Sequence, residues 1–146
     1  MASFSFRLQP VLNIKLQTED NLKNELGKAI QQLELEKRKL SDLENELGGL
    51  IEDFNRKTKK TTVRKLIEVK EYLSLLDSKI KQQKENVNLA MLNVDKIREE
   101  LLKAVKERKI LEKLREKKFE EYQLEQKKLE QKTNDEIVSY NHKESN

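Results

Sequence analysis

Apolar residues recur along this chain in two long runs, at alternating steps of four and three residues. The first run is Leu22, Leu26, Ala29, Leu33, Leu40, Leu43, Leu47, Leu50 and Phe54, with Glu36 as its polar member. The second is Val69, Leu73, Leu76, Ile80, Val87, Ala90, Val94, Ile97, Leu101 and Ala104, interrupted at Gln83. A repeat averaging about 3.5 residues keeps one narrow stripe of a helix turned toward a partner along its whole length, so each run predicts half of a coiled coil. The pattern predicts an all-α rod without a catalytic pocket.

A few punctuating residues set the boundaries. Pro10 has no amide hydrogen, which a helix needs in its interior but not in its first turn, and it biases Gln9 toward extended geometry. Helix one is therefore expected over about residues 10–54. The stretch 55–62, Asn-Arg-Lys-Thr-Lys-Lys-Thr-Thr, has no apolar residue and is rich in caps and turn formers, which marks a basic loop. Thr61 or Thr62 is expected to cap helix two. Good helix formers then run without Gly or Pro over about 63–135, and the polar residues 136–146 read as a disordered tail. All 146 residues form a single coiled-coil domain on this reading.

A short polar connection between two heptad runs predicts an antiparallel hairpin whose second helix is longer and overhangs. If Glu36 and Gln83 share one hydrated layer, paired positions add to about 119 and the turn centres on Lys59 and Lys60. The same register sets Pro10 opposite Lys109 and leaves everything beyond Lys109 without an intramolecular partner. The apolar stripe fades there, because its spacing next lands on Arg108, Leu111, Arg115 and Lys118. A parallel dimer of one long bent helix is the rival topology, and the helix-poor composition of 55–62 argues against it.

Composition narrows the function classes. Charged residues make up 40% of the chain and aromatics 5%, with three glycines and one proline, the profile of long exposed helices. There is no cysteine, so disulfides and thiolate metal sites are excluded. The first residues lack the apolar core of a secretion signal, and no run of apolar residues is long enough to span a bilayer, so a cytoplasmic protein is expected. The net charge of +4 comes from 31 basic and 27 acidic residues, too even a balance for a general polyanion binder. His142 lies near the C-terminus, no glycine-rich phosphate loop is present, and acidic pairs at this charge density read as solvated helix faces. No enzymatic activity, cofactor or metal is expected.

Four local features remain. The loop cluster Arg56, Lys57, Lys59, Lys60, Arg64 and Lys65 is either a solvated basic tip or a contact for an acidic or phosphate-bearing surface. Gly48 and Gly49 cost about 1 kcal/mol each inside a helix. They are explained either by room made for Tyr72 or by early fraying of helix one. Residues 103–118 hold eight basic residues against three acidic ones, with Ile110, Leu111 and Leu114 as an apolar strip. Such a helix suits docking into an acidic groove or packs on the N-terminal arm. The arm itself carries Phe4, Phe6, Leu8, Val11 and Leu12, and its phenylalanines either fold back over Leu111 and Leu114 or bind a partner.

The opening Phe-Ser-Phe-Arg-Leu-Gln-Pro-Val-Leu at residues 4–12 resembles the start of the flagellar export protein FliJ family. Lys106-Glu-Arg-Lys-Ile-Leu-Glu-Lys-Leu-Arg-Glu-Lys117, Leu66 to Ile80 and Asp135-Glu136-Ile137 are similar to that family as well. The resemblance implies an antiparallel two-helix coiled coil in the cytosolic part of the flagellar type III secretion apparatus, peripheral to the inner membrane through its partners. It implies a stalk that enters the hexameric export ATPase FliI, contacts the export gate protein FlhA and exchanges export chaperones. Carried over by position, the docking end comprises Phe6, Arg7 and Leu8 with Lys109, Glu112, Lys113 and Arg115. The gate contact falls on Tyr72 and Leu76. The alternatives from other classes are a free-standing helical-hairpin chaperone and a basic coiled coil that binds nucleic acid. The loop lacks the apolar strip the first requires, and acidic residues interrupt the basic face the second requires.

Overall fold

The computed structural model describes residues 3–57 and 62–144. Among them are two helices, α1 (Gln9–Lys57, 49 residues) and α2 (Val63–Glu144, 82 residues), which pack as a helical hairpin with the second helix longer. Pro10 occupies the first turn of α1, as its missing amide hydrogen requires. The amide of Leu12 donates to the Leu8 carbonyl at 2.9 Å and closes that turn. At the start of α2, the Thr62 hydroxyl accepts the Lys65 amide at 3.4 Å and the Thr62 carbonyl accepts the Leu66 amide at 3.1 Å, the arrangement of an N-cap.

The helix ends depart from the sequence expectation. Residues 55–57, expected in the loop, complete α1, whose last turn carries Arg56 and Lys57 beside the negative end of the helix dipole. The turn centred on Lys59 and Lys60 lies outside the described residues. The tail expected from residue 136 is instead helical to Glu144. No Gly or Pro stands there to stop the helix, and side chains along it bond one turn away. Thr133 donates to the Leu129 carbonyl at 2.9 Å, and Tyr140 bonds Glu144.

The chain divides into two compact units. The central unit, Asn21–Leu101, is an antiparallel helix pair. Its members of both stripes are buried or half-buried without exception. Ala29, Leu33, Val94 and Ile97 form a cluster flanked by Leu26, Val87 and Ala90. Leu76 is the most enclosed large side chain, at 1% exposure. The two polar stripe members meet as expected: Gln83 donates to the Glu36 carbonyl at 2.9 Å and also to the Glu36 carboxylate. Asn86 donates to Gln83 at 3.2 Å, so the layer is hydrogen-bonded throughout.

Gly48 and Gly49 behave differently from either expectation. Both lie inside α1, and a Cβ built on either meets no atom within 4 Å. They neither make room for Tyr72 nor mark an early end of the helix.

The terminal unit, Met1–Asp20 with Leu102–Asn146, pairs the start of α1 with the second half of α2. Leu12 and Ala104 are its buried apolar residues. From residue 127 to residue 144 every side chain of α2 is exposed, which is the overhang. It begins later than the expected Lys109, because the N-terminal arm runs on over α2. An extended chain advances about 3.3 Å per residue against 1.5 Å for a helix, so each arm residue spans about two helical ones.

Candidate functional site

The site is built in the terminal unit from the arm, the first turns of α1 and residues 107–126 of α2. Where the stripe spacing of α1 is carried back from Leu22 it meets Glu19, Lys15 and Leu12, and on α2 carried forward from Ala104 it meets Arg108. Glu19 and Arg108 pair with each other across the helices, and Lys15 pairs with Glu107 beside the stripe. Lys15 donates to Glu107 at 2.7 Å. Arg108 donates to the buried carboxylate of Glu19 through Nε and to Glu112 through Nη1 at 2.8 Å. Donation to Glu19, then that to Glu112, pushes the Arg108 guanidinium pKa above its ordinary value. The bond from Lys15 holds the Glu107 carboxyl below its ordinary value. Ion pairs thus replace hydrophobic contacts at this end, and they fix the helix register through geometry rather than through buried area.

Beyond these pairs the arm turns back onto α2. The Gln9 amide donates to the Phe6 carbonyl at 3.0 Å, and Arg115 Nε donates to the Gln9 side-chain oxygen at 3.0 Å. The Phe4 ring packs on Phe119 at 5.1 Å with a 70° interplanar angle, and on Tyr122 at 5.6 Å. The Arg115 guanidinium lies 5.6 Å from the Phe4 centroid, within the range of a cation–π contact. An open groove of about 760 Å³ runs beside the arm, between Phe6 and Leu8 on one side and Leu114, Lys118 and Tyr122 on the other.

All seven residues expected at a docking end belong to this unit. Phe6 and Leu8 are half-buried, and Arg7 between them is exposed. Lys109, Glu112, Lys113 and Arg115 are exposed on α2, with Glu112 tied to Arg108 and Arg115 tied to Gln9 and Phe4. The arm reaches Leu114, as one reading of it expected, but its aromatic anchor is the pair Phe119 and Tyr122, which sequence reasoning missed. The available signal was scarcity: the whole chain has four Phe and three Tyr, and four of these seven, Phe4, Phe6, Phe119 and Tyr122, gather here.

The two residues expected at a gate contact lie in the central unit and differ sharply from each other. Tyr72 is 40% exposed and its hydroxyl donates to the Glu46 carboxylate, whereas Leu76 is enclosed between the helices. Leu76 has no surface to offer a partner, because it falls on the stripe that holds α2 to α1. Among the described residues no group of three or more His, Cys, Asp or Glu side chains could hold a metal ion. Among the described residues no helix is long and apolar enough to cross a membrane.

The model of the flagellar FliJ protein family matches residues 4–146. Among solved structures, a putative YscO homolog from Chlamydia trachomatis superposes with a TM-score of 0.79 at 27% identity, covering 97% of this chain and 96% of that one. No curated protein matches. The family match includes both the arm and the residues of α2 on which it folds, and the chain therefore belongs to the FliJ family, components of flagellar, type III protein export.

Proposed function

We propose that this protein is a non-enzymatic adaptor of the export apparatus whose terminal unit docks as a stalk in the hexameric export ATPase FliI. On this reading it also links the ATPase to the export gate protein FlhA and to export chaperones at the cytoplasmic face of the membrane. The observation that carries the reading is the clamped arm. Phe4, packed on Phe119, Tyr122 and Arg115, holds the arm against α2 and so presents Arg7 in one compact unit with Lys109 and Lys113. A slender, charged and preorganised end suits entry into a ring lumen, because little side-chain and backbone freedom is left to lose on docking. The gate contact is carried by Tyr72 and exposed neighbours, with Leu76 supporting the helix from beneath.

The double variant Lys109→Glu and Lys113→Glu tests the docking. Both side chains are exposed, so the fold is retained. Binding to the purified ATPase is expected to weaken at least about tenfold, and the wild-type contact to weaken as salt is raised. Undiminished binding by a variant with unchanged helicity would count against the stalk.

A further inference from the structure

The hairpin tip of the central unit carries a feature that the docking end does not use. Residues 56–65 contain Arg56, Lys57, Lys59, Lys60, Arg64 and Lys65 and no acidic residue. Lys59 and Lys60 lie outside the described residues; the other four lie at the end of α1 and the start of α2. Arg56 and Arg64 have side chains 75% and 91% exposed, and among the described residues each pairs with a same-helix carboxylate, Glu52 at 3.8 Å and Glu68 at 3.9 Å. Such long, solvated pairs are worth little and exchange readily for another anion.

Two aliphatic side chains stand among these charges. Val63, the first residue of α2, is 72% exposed and Ile67, one turn on, is 55% exposed. Their spacing sets them on one helix face, where neither belongs to the stripe that packs on α1. A basic collar around exposed aliphatic groups is the composition that binds a lipid surface, with cations at the headgroup phosphates and the apolar side chains in the interface. Single-stranded nucleic acid instead calls for stacking aromatics, and the aromatic residue at this tip, Phe54, is half-buried within the helix pair.

We infer that the hairpin tip docks on an anionic lipid membrane, with Lys57, Arg64 and Lys65 at the headgroups and Val63 and Ile67 in the interface. The test is sedimentation of the full-length protein with vesicles of phosphatidylglycerol and phosphatidylcholine in equal parts, beside vesicles of phosphatidylcholine alone. The wild type is expected to sediment with the anionic vesicles only, and less at high salt. The triple variant K57E, R64E, K65E is expected to lose at least about tenfold in partitioning. The pair Val63→Ser and Ile67→Ser keeps every charge and is expected to lose binding as well, and circular dichroism checks that each variant remains helical. Wild type left in the supernatant, charge variants that bind undiminished, or a serine pair that binds like wild type would overturn the inference. So would duplex DNA competing the protein off the vesicles while the serine pair holds DNA and lipid equally well.

Discussion

Tyr72 and Leu76 sit one turn apart on α2, yet one is exposed and the other is enclosed between the helices. Leu76→Ala removes an enclosed side chain and is expected to cost about 2 to 5 kcal/mol, so any loss of gate binding by that variant should track loss of fold. Tyr72→Ala is expected to leave thermal stability nearly unchanged while weakening FlhA binding; equal binding by folded Tyr72→Ala would remove the tyrosine from the contact. Charge at single residues also sets an acid limit. The hydrogen bond from Gln83 holds the Glu36 carboxyl below its ordinary value of 4.5, and the bond from Lys15 does the same for Glu107. Their stabilisation is complete above the ordinary value and is lost as the pH falls through the lower folded values, since the unfolded chain then takes up protons first. Thermal melts in that acidic range should show the melting temperature falling with pH, and Glu107→Gln should flatten the fall. An unchanged slope in that variant would contradict the assignment. The stripe residues were legible one by one, because a 3.5-residue period is a direct statement of burial. Glu19 was not, since a carboxylate inside a stripe reads as an interruption until Arg108 is seen to meet it.

The elements were legible in kind and number, and less so at their ends. Helix propensity differences among polar residues are only tenths of a kcal/mol each, so a polar tail without Gly or Pro gives no strong stop, and α2 runs past residue 135. The arm was misplaced for a different reason. A register counted residue for residue assumes helix against helix, whereas residues 3–6 are not helical and cover α2 at twice the rate. Gly48 and Gly49 offer a test at this scale. Neither has positive φ, and open space surrounds the position of each added Cβ. Gly48→Ala and Gly49→Ala are therefore expected to stabilise the helix pair by about 1 kcal/mol each in urea unfolding. Destabilisation by either would show that the bare backbone there is needed in the isolated chain.

For the molecule as a whole, the proposed function rests on how each part of a simple fold is held together. Ion pairs and an aromatic clamp take over where the apolar stripe fades, so the terminal unit keeps its charged surface ordered without a conventional core. The residues proposed for docking could be listed from the sequence because the arm and residues 106–117 carry the family pattern. Their convergence on one unit depended on Phe119 and Tyr122, whose role no local pattern announced. The most direct test places a photo-crosslinking amino acid at Arg7 or Lys113 in the terminal unit, or at exposed Leu92 in the central unit, and irradiates the assembled ATPase complex. Adducts with the ATPase from positions 7 and 113 and none from 92 are the predicted result. Adducts from position 92 with none from 7 or 113 would contradict the stalk.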